Sequence, residues 1–274
     1  MKKLLVYFIF SVFVLAVSSF LLAPENQDYD ESWKKVEGFV KKGLPKSALK
    51  LVDEIYVKAK KEENNPQVLK ALIYRVSLQS RFEEEHVIDA ISVFSKELET
   101  ASAPEKQILH SLLAELYQWY YQDHRWQINE RGTVVGMDLM DIRTWDAIKL
   151  NQTIKEHYLA SIRQSTQLQQ IDLKVFTEIL QHTSEEGFDL YPTLFDLLGH
   201  RALFYFSTPD VGLADISSQV NLEMAELLGP IEKFVKLQPE GDSASNEYLT
   251  ISLYQHLLKL HHPTLGLICN YIFA

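Results

Sequence analysis

Cysteine is almost absent from this chain of 274 residues, in which Cys269 is the single example. One thiol cannot form an internal disulfide, so the fold has to be held together by its apolar core. Cys269 has apolar neighbours in sequence and no basic residue beside it, a setting that disfavours the reactive thiolate. We therefore expect Cys269 to be a small buried hydrophobic residue and not a nucleophile.

Basic residues are in the minority. Lysine and arginine number 27 against 37 aspartate and glutamate residues, for a formal net charge of −10. Nucleic-acid binding depends on clustered basic side chains that displace counterions, so we expect no nucleic-acid partner. Apolar residues make up 46% and charged residues 23% of the chain, which is typical of a globular protein and not of a disordered one.

Sequence motifs of catalysis are also missing, with no nucleophile elbow, phosphate-binding loop or dinucleotide fingerprint. Glu83 and His86 have the Glu-x-x-His spacing of di-iron bundles, but such bundles require two of these motifs and further glutamates. An acidic helix start that complements the helix dipole explains Glu83 more simply. His256, His261 and His262 lack the spacing of three or four that places ligands on one helix face. We predict no enzyme activity, no catalytic residue, no cofactor and no metal.

A long apolar run is present, and it lies at the N-terminus. Lys2 and Lys3 precede an uncharged stretch from Leu4 to Ala23. This pattern predicts that residues 1–23 are a signal peptide or a retained N-terminal anchor. The run could just span a bilayer core of about 30 Å. Both alternatives place the rest of the chain outside the cytoplasm, in the periplasm or cell envelope, with membrane contact only through residues 4–23 if the segment is uncleaved.

The body of the chain has the apolar period of amphipathic helices. Short turns are predicted at Gly43-Leu44-Pro45 and at Asn64-Asn65-Pro66, where one helix ends and the next begins. Such short connections imply that neighbouring helices are antiparallel. Helix pairs recur at about 36 residues, close to the length of a tetratricopeptide (TPR) repeat. The predicted class is all-α, with stacked antiparallel helix pairs in a TPR-like helical-repeat array. The predicted helices cover residues 30–42, 45–62, 66–80, 84–99, 103–122, 144–163, 172–182, 192–206, 219–237 and 245–261.

These helices group into two predicted subdomains. Residues 24–122 form a TPR-like subdomain and residues 144–262 a second helical one. Between them, residues 123–143 contain Gly132 and Gly136, which predict an irregular loop or small hairpin. Residues 263–274 are an apolar tail without helical patterning, and we expect the reading frame to be truncated or frameshifted there.

The densest aromatic cluster of the chain comprises Tyr117, Trp119, Tyr120, Tyr121 and Trp126. Aromatic side chains commonly anchor protein interfaces, so these five are the candidate protein-binding residues. Their helical spacing also fits the alternative that they are core and rim residues between packed helices.

Several segments together resemble a known family. They are YDESWKKVEGFVKKGLPKSALKLVDEIYVKAKKE, VLKALIYRVSL, LLAELYQWYY, YPTLFDLLGHRALFYF and LLGPIEKFVKL, in order from Tyr29 to Leu237, and the likeness extends to about Leu260. The chain resembles the N-terminal helical region of bacterial alpha-2-macroglobulin family proteins, which are exported endopeptidase inhibitors. The resemblance implies that the chain is a non-enzymatic module of a protease trap. Proteases would then be contacted only through the domains that lie downstream in full-length relatives.

The bait and thioester parts of that family are absent from this chain. A family thioester pairs a cysteine with a glutamine beyond an intervening glycine, whereas Cys269 precedes Asn270 and Tyr271. No catalytic or bait residue can therefore be transferred to a position here. A free-standing periplasmic TPR-like adaptor that binds protein partners is the main alternative. A metalloenzyme built on Glu83 and His86 is a third hypothesis.

Overall fold

A computed structural model describes residues 27–83, 85–130, 141–177, 179–180, 185–208 and 229–261. Over these ranges it contains eleven α-helices, two 3₁₀ turns and no β-strand. The only strand-like pairing there is an isolated antiparallel bridge between Asp172 and Thr193. The predicted all-α class is confirmed. The predicted signal or anchor segment 1–23 and the apolar tail 263–274 lie outside the described residues, as does Cys269.

The helices are numbered along the chain. The first five are α1 (Gln27–Lys41), α2 (Pro45–Lys61), α3 (Asn65–Gln79), α4 (His86–Thr100) and α5 (Glu105–Glu130). The others are α6 (Ala147–Ser161), α7 (Ser165–Leu168), α8 (Glu185–Leu190), α9 (Leu194–Ser207), α10 (Ile231–Phe234) and α11 (Asn246–His261). The 3₁₀ turns cover Ile142–Thr144 and Leu173–Phe176.

The chain divides into two compact units, Met1–Glu83 and Glu84–Ala274. In the first unit, α2 contacts both α1 and α3. Pro45 lies in the first turn of α2, and the Asn64 side chain accepts from the Gln67 backbone N–H at 3.4 Å at the start of α3. The Trp33 indole N–H of α1 donates to Gln67 Oε1 at 2.7 Å, a buried bond that ties α1 to α3.

In the second unit the 26-residue helix α5 contacts α4, α6 and α9. Helix α9 in turn packs against α11 at Gly199, where an added Cβ would lie 3.3 Å from Leu257 Cδ2. A larger residue at position 199 would require the Leu257 side chain to shift, so the glycine lets α9 and α11 approach closely.

The structure corrects the predicted end of α5. Residues 123–130, predicted as the start of an irregular loop, continue the helix to Glu130. Ile128 is buried on the same side as Tyr117 and Tyr121, so the apolar stripe of α5 extends past position 122. Residues 131–140 lie outside the described part of the chain. The division into compact units also differs from the predicted one. It falls at Glu83, and α5 and α6, which the prediction placed in different subdomains, pack on each other.

Two further local predictions are wrong. The helix expected at 172–182 is a 3₁₀ turn at Leu173–Phe176, which Asp172 caps by accepting from the Lys174 backbone N–H. Leu173 N donates to the Pro192 carbonyl, so the start of the turn is joined to the segment before α9. Helix α6, expected to begin at 144, begins at Ala147, and Asp146 caps it by accepting from the Lys149 backbone N–H at 2.8 Å.

Among the described helices, none combines the length and apolarity needed to cross a membrane. The apolar run at 4–23 lies outside the described residues.

Candidate functional site

The structure divides the five predicted binding residues between the core and the surface. Tyr117, Tyr120 and Tyr121 are buried, whereas Trp119 is 42% exposed and Trp126 is 78% exposed. All five lie on α5, where residues four and seven apart share a face and residues two apart do not. The three tyrosines are therefore packing residues, and only the two tryptophans are placed where a partner can contact them.

Trp119 and Trp126 form a stripe on the side of α5 opposite to its buried face. They are seven residues apart, which places the indoles on one face about 10.5 Å apart along the helix axis. Asp123 and Glu130 lie along one flank of this tryptophan stripe, and Gln122 and Asn129 lie along the other. All four flanking residues are exposed.

Beneath this surface, four rings form a continuous row between α5 and α6. Trp145 stacks on Tyr117 with ring centroids 5.7 Å apart, and Tyr117 contacts His157 at 5.5 Å. His157 contacts His110 at 5.1 Å, with an interplanar angle of 53°. Tyr117 therefore contributes its ring to interhelical packing, which accounts for its burial.

The row ends in a hydrogen-bonded histidine pair. Nδ1 of His110 and Nδ1 of His157 are 3.0 Å apart, so one ring donates and the other accepts. Burial lowers the pKa of His110 to about 4, assisted by the charges of Lys106 and Arg163. Burial also lowers the pKa of His157 to about 4, with a smaller contribution from His110. Both rings are consequently neutral near pH 7, and the pair serves as an uncharged link between two helices.

A second polar cluster surrounds Asp196, which is 1% exposed at the start of α9. Its Oδ2 accepts from the Thr193 hydroxyl at 2.7 Å and from the Thr193 backbone N–H at 3.0 Å. Its Oδ1 lies 2.7 Å from Nε2 of His261 at the end of α11. Thr193 accepts in return from the Asp196 backbone N–H, which completes a capping box.

Neighbouring rings complete this cluster. His200 Nδ1 donates to the Asp196 backbone carbonyl at 2.8 Å, and Tyr191 packs edge-on against the same ring at 4.8 Å. Burial lowers the pKa of His200, opposed by its bond to the Asp196 carbonyl. The Thr193 hydroxyl donates to the Asp196 carboxylate and accepts from the Asp196 backbone N–H, so both of its hydrogen bonds belong to the capping box. The geometry is that of a helix cap joined to a neighbouring helix.

Two of the residues considered for metal binding make other contacts. Glu83 Oε2 accepts from Gln79 at 2.9 Å, and His256 packs against Phe195 at 5.1 Å. No three His, Cys, Asp or Glu side chains in the described ranges are grouped to hold a metal ion. His262 lies outside those ranges.

Sequence reasoning missed His110, His157 and Asp196. The histidines are 47 residues apart and Asp196 is 65 residues from His261, so no local spacing motif could have linked them. The one available signal was Thr193 three residues before Asp196, the spacing of a capping box. This chain matches no family model, no curated protein and no solved structure.

Proposed function

We propose that this chain is a non-enzymatic helical module that binds protein partners through the tryptophan stripe Trp119/Trp126. The observation that carries the proposal is the 78% exposure of Trp126 on a helix whose opposite side is buried. Because the two indoles are exposed on one face, the fold does not gain the favourable free energy of burying these large apolar rings. Such rings are the residue type most enriched at the centres of protein interfaces.

The polar clusters support a scaffold in preference to a reaction centre. Asp196 caps α9 and joins it to α11, and the neutral pair His110/His157 joins α5 to α6. These groups have structural partners, so the proposal assigns them to stability. Stoichiometric iron, manganese or zinc in the purified chain would contradict the non-enzymatic assignment.

Within this proposal the module is exported. The support is the sequence pattern of Lys2 and Lys3 followed by the apolar run at 4–23. Cell fractionation with an N-terminal mass measurement on the envelope-associated chain tests it. A mass lacking about the first 23 residues indicates cleavage, and the full mass in the membrane fraction indicates an anchor. Recovery of the uncleaved chain in the cytosol would contradict export.

The resemblance to alpha-2-macroglobulin family proteins extends the proposal to the biological context. The chain would be the N-terminal scaffold of an endopeptidase inhibitor, with bait and thioester parts encoded elsewhere. Sequencing the locus downstream of codon 274 tests this assignment. A region encoding β-sandwich or macroglobulin domains in any frame is expected, and its absence would contradict the assignment.

The alternative is a free-standing TPR-like adaptor. The observation that favours it is the three-residue connection between consecutive contacting helices in the first unit, at 42–44 and at 62–64. Such connections are typical of antiparallel helix pairs in repeat proteins. The sequence downstream of codon 274 also distinguishes the adaptor from the inhibitor module, because an adaptor requires no macroglobulin domains.

Photo-crosslinking tests the binding function directly. A benzophenone amino acid is introduced at position 119 or 126 of the full chain, and at position 57 or 204 as controls. Val57 and Phe204 are also exposed, at 65% and 68%. We expect protein adducts from the two tryptophan positions and few from the controls. Absence of adducts at both tryptophan positions, in chains with unchanged circular dichroism, would contradict the proposal.

A further inference from the structure

The tryptophan stripe has chemically different flanks. Asp123 and Glu130 follow the indoles on one flank with the same spacing of seven residues that separates Trp119 from Trp126. On the other flank the residues at that spacing are the amides Gln122 and Asn129. A ligand lying along the stripe therefore meets two aromatic faces and two carboxylates in parallel rows.

Two aromatic faces beside two carboxylates suit a cation. Lysine and arginine side chains bind over indole faces by cation–π attraction and pair with carboxylates at the same time. The chain itself shows the first contact, since Lys70 Nζ lies 4.7 Å from the Trp33 ring centroid and Lys149 Nζ lies 5.4 Å from that of Trp145.

The charges around the stripe favour the same ligand. Arg125 is the basic residue next to Trp126, but helix geometry turns it about 100° away from that indole. The chain as a whole has a net charge of −10, which attracts basic and repels acidic partners at long range.

We infer that the tryptophan stripe is a docking surface for a basic polypeptide segment, whose lysine or arginine side chains lie over Trp119 and Trp126 and pair with Asp123 and Glu130. Side chains seven apart on a partner helix, or three apart on a polyproline II segment with its rise of about 3.1 Å per residue, match the indole spacing of about 10.5 Å. This inference rests on the proposed protein-binding function and specifies the chemistry of the partner.

The test compares adducts in three versions of the full chain, each with the benzophenone amino acid at position 126. One has no other change, one carries Asp123→Asn and Glu130→Gln, and the matched control carries Gln122→Ala and Asn129→Ala. The captured segments are sequenced by mass spectrometry. We expect an excess of lysine and arginine within the captured segment. We also expect adduct yield to fall about fivefold on neutralising the carboxylates, with little change in the control.

The possible failures are distinct. Captured segments without basic excess, with equal yield in all three versions, would overturn this inference and leave the proposed binding function standing. An adduct formed within the same chain would also overturn it. No adduct at position 119 or 126 would overturn both.

Discussion

Nδ1 of His110 and Nδ1 of His157 lie 3.0 Å apart across the contact between α5 and α6. The bond exists only while Nδ1 of at least one ring is unprotonated and can accept. Double protonation would place two like charges at that separation beside Lys106 and Arg163, whose charges already lower the pKa of His110. The packing of α5 on α6 is therefore sensitive to acid.

The pair predicts how stability depends on pH. The pKa of each ring is lowered to about 4 in the fold from 6.5, so the unfolded chain binds more protons between these values. The contribution of the pair is complete above pH 6.5 and is lost as the pH falls toward 4. We expect the melting temperature to decrease over this range, and the double variant His110→Gln/His157→Gln to show a smaller decrease.

The control for this prediction is Phe204→Ala, which removes an exposed residue that does not titrate and should keep the parent slope. Burial also lowers the pKa of His200 and His256, so the slope in the double variant should diminish without vanishing. Circular dichroism measures the melting temperature of each version from pH 8 to pH 4.5. If the melting temperature changes equally with pH in the parent and in the double variant, the histidine pair is not the source of the pH dependence.

Residues of the predicted aromatic cluster should differ sharply in their effect on stability. Trp126→Ala removes an exposed ring, so we expect the free energy of unfolding to change by less than about 0.5 kcal/mol. Tyr121 is 0% exposed, and Tyr121→Ala should cost about 3–5 kcal/mol through the cavity that it leaves. Urea unfolding of both variants measures the difference. Comparable losses would mean that Trp126 is packed in the folded chain.

Single substitutions should separate the contributions that Thr193 and Asp196 make to stability through the capping box at the start of α9. Thr193→Ala removes the hydroxyl that accepts from the Asp196 backbone N–H, at a cost of about 0.5–2 kcal/mol. Thr193→Ser retains the hydroxyl and serves as the matched control. Asp196→Ala should cost more than Thr193→Ala, because it also removes the partner of His261. The reverse order in thermal unfolding would refute this account of the cluster.

A buried hydroxyl joins α9 to α6. The Tyr205 hydroxyl donates to Asn151 Oδ1 at 2.6 Å, while the Tyr205 ring stacks on Tyr158 at 5.2 Å. Tyr205→Phe should keep the stack and lose the bond, lowering the free energy of unfolding by about 0.5–1.5 kcal/mol. Tyr191→Phe is the control, since the described contact of Tyr191 is ring packing on His200. Equal effects of the two variants in urea unfolding would contradict the prediction.

Local chemistry made most helix boundaries predictable. The predicted helices 45–62 and 66–80 agree within one residue with α2 and α3, because Pro45 and Asn64 act on the backbone within their own turn. Failures occurred where distant residues intervene. At the predicted helix 172–182 the backbone forms a 3₁₀ turn, and residues 171–173 bond to residues near Thr193, about twenty positions away.

The amino-acid sequence by itself determined the all-α class and the starts of helices such as α2 and α3, because periodicity, proline and capping side chains act over a few residues. It also placed the aromatic cluster on one helix. Only the tertiary structure decided that Tyr121 is core and Trp126 is surface, and that His110 meets His157 and Asp196 meets His261. The physical reason is that burial and polar pairing depend on which helices pack together, and no residue spacing within a single helix encodes that choice.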